Sequence, residues 1–401
     1  MIIYSNNIVT PDKVLKGYIN IENGKITAIN SCCNSPFLDL KDAIILPGFI
    51  DQHTHGWGRG SFFYENDINS LKMMIEDQAK EGVTGFLATT FTDALPSIFQ
   101  SIDAANAVYN EKIKGSKLLG VHLEGPFISK EFKGAQKEEA CLEPSLDLLK
   151  EFIARQKDKS MIKLMTIAPE LKGAKEVIEY CRDNNIQISA GHTGADFETL
   201  IESKKWGVSG VTHMYSAMRS LHHRNPGVVG AALYDKDIYC EFAKQTGITV
   251  RHEVFDLTYR LKGADKIIMT TDALGNGKQK EAYYHATRDV DFIPEKDKLI
   301  ERSRKDGSEI IYDLNDYESI RKIELSYIDS IRNMMNHSDI SWIDLSKMVA
   351  TNSAKYLGID NERGSIEAGK YADLTIITPD IDLLLTIVEG EIVHSNIEGV
   401  S

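Results

Sequence analysis

Several things are scarce in this 401-residue chain. Cysteine is one: Cys32, Cys33, Cys141, Cys181 and Cys240 are odd in number and scattered, which excludes a disulfide framework and a Cys-x-x-Cys metal motif. Positive charge is another. With 46 Lys and Arg against 59 Asp and Glu, the formal net charge is −13. A chain without a basic excess lacks the footprint that phosphate backbones require, so nucleic acid is excluded as a partner, although a few local cations can still hold one phosphate. No apolar run approaches the roughly 20 residues of a membrane span. Met1-Ile2-Ile3-Tyr4 lacks the charged and apolar regions of a signal peptide. The expectation is a reduced, cytoplasmic protein. The remaining composition, 42% hydrophobic and 26% charged, is that of a globular chain long enough for one large domain and a small one.

The two ends read as β-rich. Gly17-Tyr18-Ile19-Asn20-Ile21-Glu22 alternates, Asn23-Gly24 supplies a hairpin turn, and Lys25-Ile26-Thr27-Ala28-Ile29 returns. Ala372 to Ile377, Leu384 to Val388, the turn Glu389-Gly390 and Glu391 to His394 repeat the pattern. One small β domain built from residues 1–46 and 364–401 is expected. Between them, residues 47–363 alternate helix and strand. Ile68, Leu71, Met74 and Ile75 have helical spacing and precede the strand Val83 to Thr90; helices over 94–111, 145–157, 173–183 and 196–205 each precede another strand. Repeated βα units numbering near eight predict a (β/α)8 TIM barrel, with its catalytic groups at the C-terminal ends of the strands. The stretch 276–325 is dense in charge and reads as a polar, exposed excursion, with a hairpin across Lys305-Asp306-Gly307.

The pivot is Leu46 to Gly56. Ala43 to Leu46, Phe49 and Ile50 read as one buried strand ending in His53-Thr54-His55. Alternate side chains of a strand share a face, so the two imidazoles project together, as a transition metal requires. Taken alone, such a pair is more often a polar strand end than a ligand pair. Four further strand ends carry the same chemistry: His122-Leu123-Glu124-Gly125-Pro126, Gly191-His192-Thr193, Thr212-His213-Met214 and Thr271-Asp272-Ala273. In a barrel all five meet at one rim and would hold one or two divalent ions with a position open to water. Glu124, His192 and His213 form the expected first site, and His53 and His55 complete it or add a second. His122 alternates with Glu124 and competes for a ligand role. Asp272 ends the apolar strand Ile267-Ile268-Met269 and is the candidate general base, a helix N-cap being the bland alternative. Zinc is the first candidate ion, with iron, manganese and cobalt behind it.

In this order these segments resemble the N-acetylglucosamine-6-phosphate deacetylase family of the amidohydrolase superfamily. Pro47-Gly48-Phe49-Ile50-Asp51 before the paired histidines, Glu124-Gly125-Pro126-Phe127, and the ending Gly364-Ser365-Ile366-Glu367-Ala368-Gly369-Lys370-Tyr371-Ala372-Asp373-Leu374 carry the likeness over nearly the whole chain. Glu-Gly-Pro-Phe is the most specific part, because many superfamily members use a modified lysine at that bridging position. The resemblance implies a barrel with a small β-sandwich from both termini, a homodimer, and one or two divalent ions per subunit. It implies hydrolysis of the acetamide of N-acetylglucosamine 6-phosphate to acetate and glucosamine 6-phosphate. Arg224-Asn225-Pro226-Gly227 is similar to the family segment whose arginine binds the substrate phosphate across the dimer, a contact that suits a planar guanidinium. His222 and His223 are possible helpers.

The chain departs from the family at the sugar contacts. Ser216-Ala217-Met218 stands for Asn-Ala-Met, and Lys133-Gly134-Ala135-Gln136 places Gln136 at a sugar-contacting histidine. Lys244-Gln245-Thr246-Gly247-Ile248-Thr249 replaces Ala-Asp-Gly-x-His, with Thr249 at the histidine and His252 three residues on. The small-residue segment that covers the substrate is unrecognisable around Arg321 to Leu325. The resemblance therefore implies Ala135, Gln136, Ser216, Ala217, Arg224 and Thr249 as substrate contacts, several of them altered. The alternatives are a deacetylase of another N-acyl amino sugar such as N-acetylgalactosamine 6-phosphate, a hydrolase of a small amide, or a weakly active sugar-phosphate-binding paralogue.

Overall fold

The computed structural model describes every residue except 245, 246, 248, 286, 287 and 401. Its central sheet has eight parallel strands that are neighbours in chain order: Phe49–Thr54, Val83–Thr90, Lys117–Glu124, Ile162–Ile167, Gln187–Ala190, Val208–Val211, Tyr239–Ala243 and Ile267–Thr270. Helices Ile68–Ala79, Leu95–Val108, Leu146–Arg155, Ala174–Asp183, Phe197–Trp206, Gly227–Tyr234 and His252–Lys262 separate them. The eighth strand returns beside the first, where Asp272 N donates to His53 O (2.7 Å) and Thr271 Oγ1 to Asp51 (2.6 Å). This is the expected TIM barrel. Its strands are buried on both faces, Val83–Thr90 along its whole length, as parallel strands under helices must be. Side-chain caps start some of the helices: Asp67 accepts from Ser70 N, Asp196 from Thr199 N and Ser326 from Asp329 N.

A second sheet is built from both ends of the chain. Its path runs Glu391–Ser395, Leu383–Val388, Leu374–Ile377, Ile44–Pro47, Ile2–Val9, Val14–Glu22 and Lys25–Asn30, with Leu38–Asp39 alongside Ile2–Val9. Ile3, Ile19, Ile45, Leu374, Ile376 and Leu385 share one core, so the sheet folds over on itself. The turns Asn23-Gly24 and Glu389-Gly390 touch: a Cβ on Gly24 would lie 2.8 Å from Glu389 O. All five cysteines are free thiols. No described helix is long and apolar enough to cross a membrane.

Two features differ from the sequence reading. The apolar run before the histidines is two strands, Ile44–Pro47 in the terminal sheet and Phe49–Thr54 in the barrel. Gly48 is the transfer point, where a Cβ would fall 2.2 Å from Thr84 Oγ1 and 2.3 Å from its methyl. The charged stretch after residue 276 contains a four-stranded antiparallel sheet, Tyr283–His285, Val290–Glu295, Lys298–Ser303 and Glu309–Asp313, with its own core of Val290, Phe292, Leu299, Tyr312, Ile320 and Ile323. Most of its charges occupy the outward alternate positions; Glu301 turns inward and accepts from Tyr312 OH (2.7 Å). The last two of these strands form the hairpin across 305–307. Arg321 ties this insert to the barrel by donating to the buried Glu81, which also accepts from Tyr317 OH, itself the acceptor for Trp57 Nε1.

Gly48→Ala should lower stability by about 2 kcal/mol, because Thr84 is β-branched and cannot yield. Thermal unfolding checks this, and an unchanged midpoint would show that the crossing tolerates a side chain.

Candidate functional site

Each strand-end segment delivers one or two side chains to the C-terminal rim. His53 lies on the first barrel strand with His55 just beyond it, Glu124 closes the third, and His192, His213 and Asp272 follow the fifth, sixth and eighth. Backbone φ is 48° at His192, 34° at His213 and 47° at Asp272, so the chain leaves each strand in the left-handed region immediately at the functional residue. Such residues cost on the order of 1–3 kcal/mol and persist only where the surroundings over-determine them. His53, His55 and Glu124 form one group of convergent donor atoms, and Glu124, His192 and His213 a second, each within 4.8 Å. All five residues are buried.

The imidazole orientations test whether a cation fits. His53 Nδ1 meets Glu241 Oε1 (2.8 Å), His55 Nδ1 meets Thr89 O (3.1 Å), His192 Nδ1 meets Phe132 O (3.0 Å) and His213 Nδ1 meets Ser216 O (3.1 Å). A carbonyl or carboxylate only accepts, so in each neutral ring Nδ1 carries the proton and Nε2 keeps its lone pair for the cluster. Those lone pairs point at one another. His192 Nε2 and His213 Nε2 are 3.0 Å apart, and both lie 3.2 Å from Glu124 Oε1. His53 Nε2 is buried without a hydrogen bond. Lone pairs and a carboxylate opposed in this way are what a divalent ion binds, and outward hydrogen bonds from Nδ1 are how proteins orient imidazole ligands. The residues fit one or two divalent ions, which the two groups, sharing Glu124, would hold.

Electrostatics point the same way. Burial alone would lower the pKa of His53, but Asp272, Glu124 and Glu241 hold it well above the ordinary imidazole value. Burial likewise opposes ionisation of Glu124 and Asp272; the facing imidazoles outweigh it and hold both carboxyls below their usual range. Asp272 Oδ1 lies 3.4 Å from both His53 Nε2 and His55 Nε2. Its side chain is 30% exposed while those of His53 and His55 are at most 1% exposed. The carboxylate thus joins the cluster and is partly exposed to solvent; it does not cap a helix.

Gln136 is turned to the cluster. Thr92 N donates to its Oε1 (2.8 Å), which fixes the amide so that Nε2 donates to Glu124 Oε2 (2.5 Å). The geometry gives this side chain a carboxylate to hold. Ser216 contributes its carbonyl to His213, and Ala217 O accepts from Thr193 N. Gly134, beside Ala135, has φ 57°, and a Cβ there would lie 3.4 Å from both Ala217 Cβ and His192 Cε1, so these segments meet at the cluster's edge. Arg224 and Thr249 are exposed on loops and take no part in the buried cluster. Of the segment preceding Thr249, positions 245, 246 and 248 lie outside the described residues.

His122 is a core residue. Its Nε2 meets Thr166 Oγ1 (2.8 Å), from which hydroxyls continue through Thr212 to Ser189, and burial with His53 beside it lowers its pKa well below the ordinary value. Glu241 was not singled out from sequence. It is 2% exposed in the seventh strand, accepts from Gln52 Nε2 (2.8 Å) and His213 N (3.2 Å), and orients His53. The available signal was a carboxylate inside Tyr239-Cys240-Glu241-Phe242-Ala243, where a buried charge demands partners.

Comparison with known proteins agrees with this geometry. The sequence pattern of the amidohydrolase family matches residues 44–393. The N-acetylglucosamine-6-phosphate deacetylase of Bacillus subtilis (strain 168) is 33% identical over 394 residues, 96% of this chain and 95% of its own. The crystal structure of N-acetylglucosamine-6-phosphate deacetylase from Thermotoga maritima superposes with a TM-score of 0.79 at 30% identity, covering 99% of this chain and all of that one. The enzyme of that name from Pasteurella multocida gives 0.82 at 26% identity over 99% of this chain. With its rim of imidazoles around one buried glutamate, the chain belongs to the amidohydrolase family, in its N-acetylglucosamine-6-phosphate deacetylase branch.

Proposed function

We propose that this chain hydrolyses the acetamide of N-acetylglucosamine 6-phosphate to acetate and glucosamine 6-phosphate, with a divalent ion, zinc foremost, at the histidine–glutamate cluster. The observation that carries the reading is the placement of Asp272, against two imidazoles of the cluster yet partly exposed to solvent. A likeness of 33% over 96% of the chain to a deacetylase of this sugar phosphate supports the substrate. Glu124, His192 and His213 would hold one ion, and His53 and His55 with Glu124 a second. When bound, such an ion polarises an amide carbonyl and acidifies water. Asp272 accepts a proton from the attacking water and returns it to the amine nitrogen as the carbon–nitrogen bond breaks. Gln136 and Glu241 keep Glu124 and His53 in place for this.

Arg224 is the proposed phosphate ligand, acting from a second subunit. In its support, Leu221, Tyr234, Leu257 and Leu261 are 55%, 77%, 64% and 63% exposed, and three of them line one cavity beside the Arg224 loop. An apolar face of this kind suits a second copy of the chain. Ala135, Ser216, Ala217 and Thr249 are the proposed neighbours of the sugar.

Acetate release from N-acetylglucosamine 6-phosphate by metal-analysed protein tests the reading, beside the galactosamine epimer and the unphosphorylated sugar. Preferred turnover of the first substrate is expected; none on it, with metal bound, would refute the assignment. In the same assay Asp272→Asn should keep its metal and lose about 10³-fold in kcat, and near-normal turnover would remove Asp272 as the base. Arg224→Ala should raise KM about 10-fold for the phosphorylated sugar only, an equal loss on N-acetylglucosamine counting against the phosphate contact.

Proton competition gives a further expectation. The carboxylates overcome burial and raise the pKa of His53, His55 and His213 in the metal-free site. Raised values mean that protons hold the imidazoles to higher pH than in a free histidine, and ligands must be deprotonated to bind. Metal retention during dialysis against a chelator should therefore fall steeply as pH drops from about 8 to about 6. Retention independent of pH over that interval would contradict this.

A further inference from the structure

Two segments in which the sequence parts from the family pattern meet in space. Lys244 follows the seventh barrel strand, and Glu324 lies between the four-stranded insert and helix Tyr327–His337. Lys244 Nζ donates to Glu324 Oε2 at 2.7 Å, with the two side chains 17% and 7% exposed. The same carboxylate accepts from Leu274 N (3.0 Å) and Asn276 N (2.6 Å), two and four residues beyond Asp272.

The other flank of that loop is tied to the first strand. Asp272 N donates to His53 O, His55 N and Gly56 N donate to Ala273 O (2.8 and 2.9 Å), and Ser61 Oγ donates to Leu274 O (2.7 Å). The Asp272 loop is thus gripped from both sides, and Asp272 itself stands in the left-handed region, which its own backbone does not favour. Lys244 shares that conformation at φ 37°, and its N–H donates to Thr270 O at the end of the eighth strand. A lone buried carboxylate here would be costly, and so would a lone ammonium; together they form one supported unit.

We propose that Glu324, with Lys244 as its counter-ion, is the positioning residue for Asp272. It fixes the loop that aims the carboxylate, and the two sequence departures are one compensated support. This rests on the role given above to Asp272, and the experiment separates the two. In the full-length metal-loaded enzyme, amide hydrogen exchange at Leu274 and Asn276 reads the grip without substrate. Turnover of N-acetylglucosamine 6-phosphate reads its consequence.

Glu324→Ala should speed exchange at both amides and lower kcat about 30-fold with KM within about 2-fold and metal content unchanged, the loss expected when a reacting group drifts by an ångström. Glu324→Gln, which keeps an acceptor oxygen, should recover part of the kcat and guards against a variant that misfolds. Lys244→Met should cost less, and nothing further once Glu324 is Ala, because residues acting as a unit are not additive. Unchanged exchange in Glu324→Ala, a loss seen only in KM, or additive losses in the double variant would each overturn the proposal. Failure of the wild-type enzyme to turn over this sugar would refute the function instead, leaving the exchange measurement to decide the grip.

Discussion

Four imidazole ε-nitrogens converge on one glutamate, and the geometry of the rim follows from keeping them there. Imidazole presents a donor on one edge and an acceptor on the other, so fixing the outer edge fixes the inner one. The outer edges are held by Glu241, Thr89, Phe132 and Ser216, which come from two barrel strands and two loops. No single element could do this. The arrangement is unfavourable by itself, since it gathers lone pairs in a buried place, and it becomes favourable when positive charge enters. The barrel supplies the rigidity that holds it open to that outcome.

The local cost is concentrated at strand ends. Left-handed backbone at His192, His213, Tyr215, Ala217 and Asp272 turns the chain sharply, letting one strand deliver a ligand and the next residues carry an acceptor back to it. His213 and the Ser216 carbonyl illustrate this, ligand and orienting group lying three residues apart. Gly134, at φ 57°, turns its loop the same way at the edge of the His192 ring, in a conformation that a side chain would strain.

The clustered histidines and glutamate were legible because each ends an apolar strand in a short, recognisable segment. Barrel and terminal sheet were legible from periodicity. What escaped was non-local or masked. Glu241 takes its meaning from His53, 188 positions earlier in the chain. Gln136 occupies a position that suggested a sugar contact, yet its length and the Thr92 amide direct it to Glu124. The sheet over 283–313 was hidden because charges such as Asp291 and Arg302 fill its outward positions, leaving Phe292 and Leu299 as isolated apolar signals. The split at Gly48 was invisible because apolar residues flank it on both sides, Ile44 to Leu46 and Phe49 to Ile50, and only the partner changes. Lys244 and Glu324 stood out as departures, and only coordinates could show that they meet.

The crossing at Gly48 also orders events in time. Ile44–Pro47 pairs with Leu374–Ile377, Leu374 opposite Pro47 and Ile377 opposite Ile44. A strand made in the first eighth of the chain therefore waits through synthesis of the entire barrel for its neighbour. Until then one edge of the N-terminal half-sheet stays unpaired, one residue from the strand that carries His53. On the ribosome, where N-terminal segments emerge before C-terminal ones, this strand is among the last to gain its neighbour.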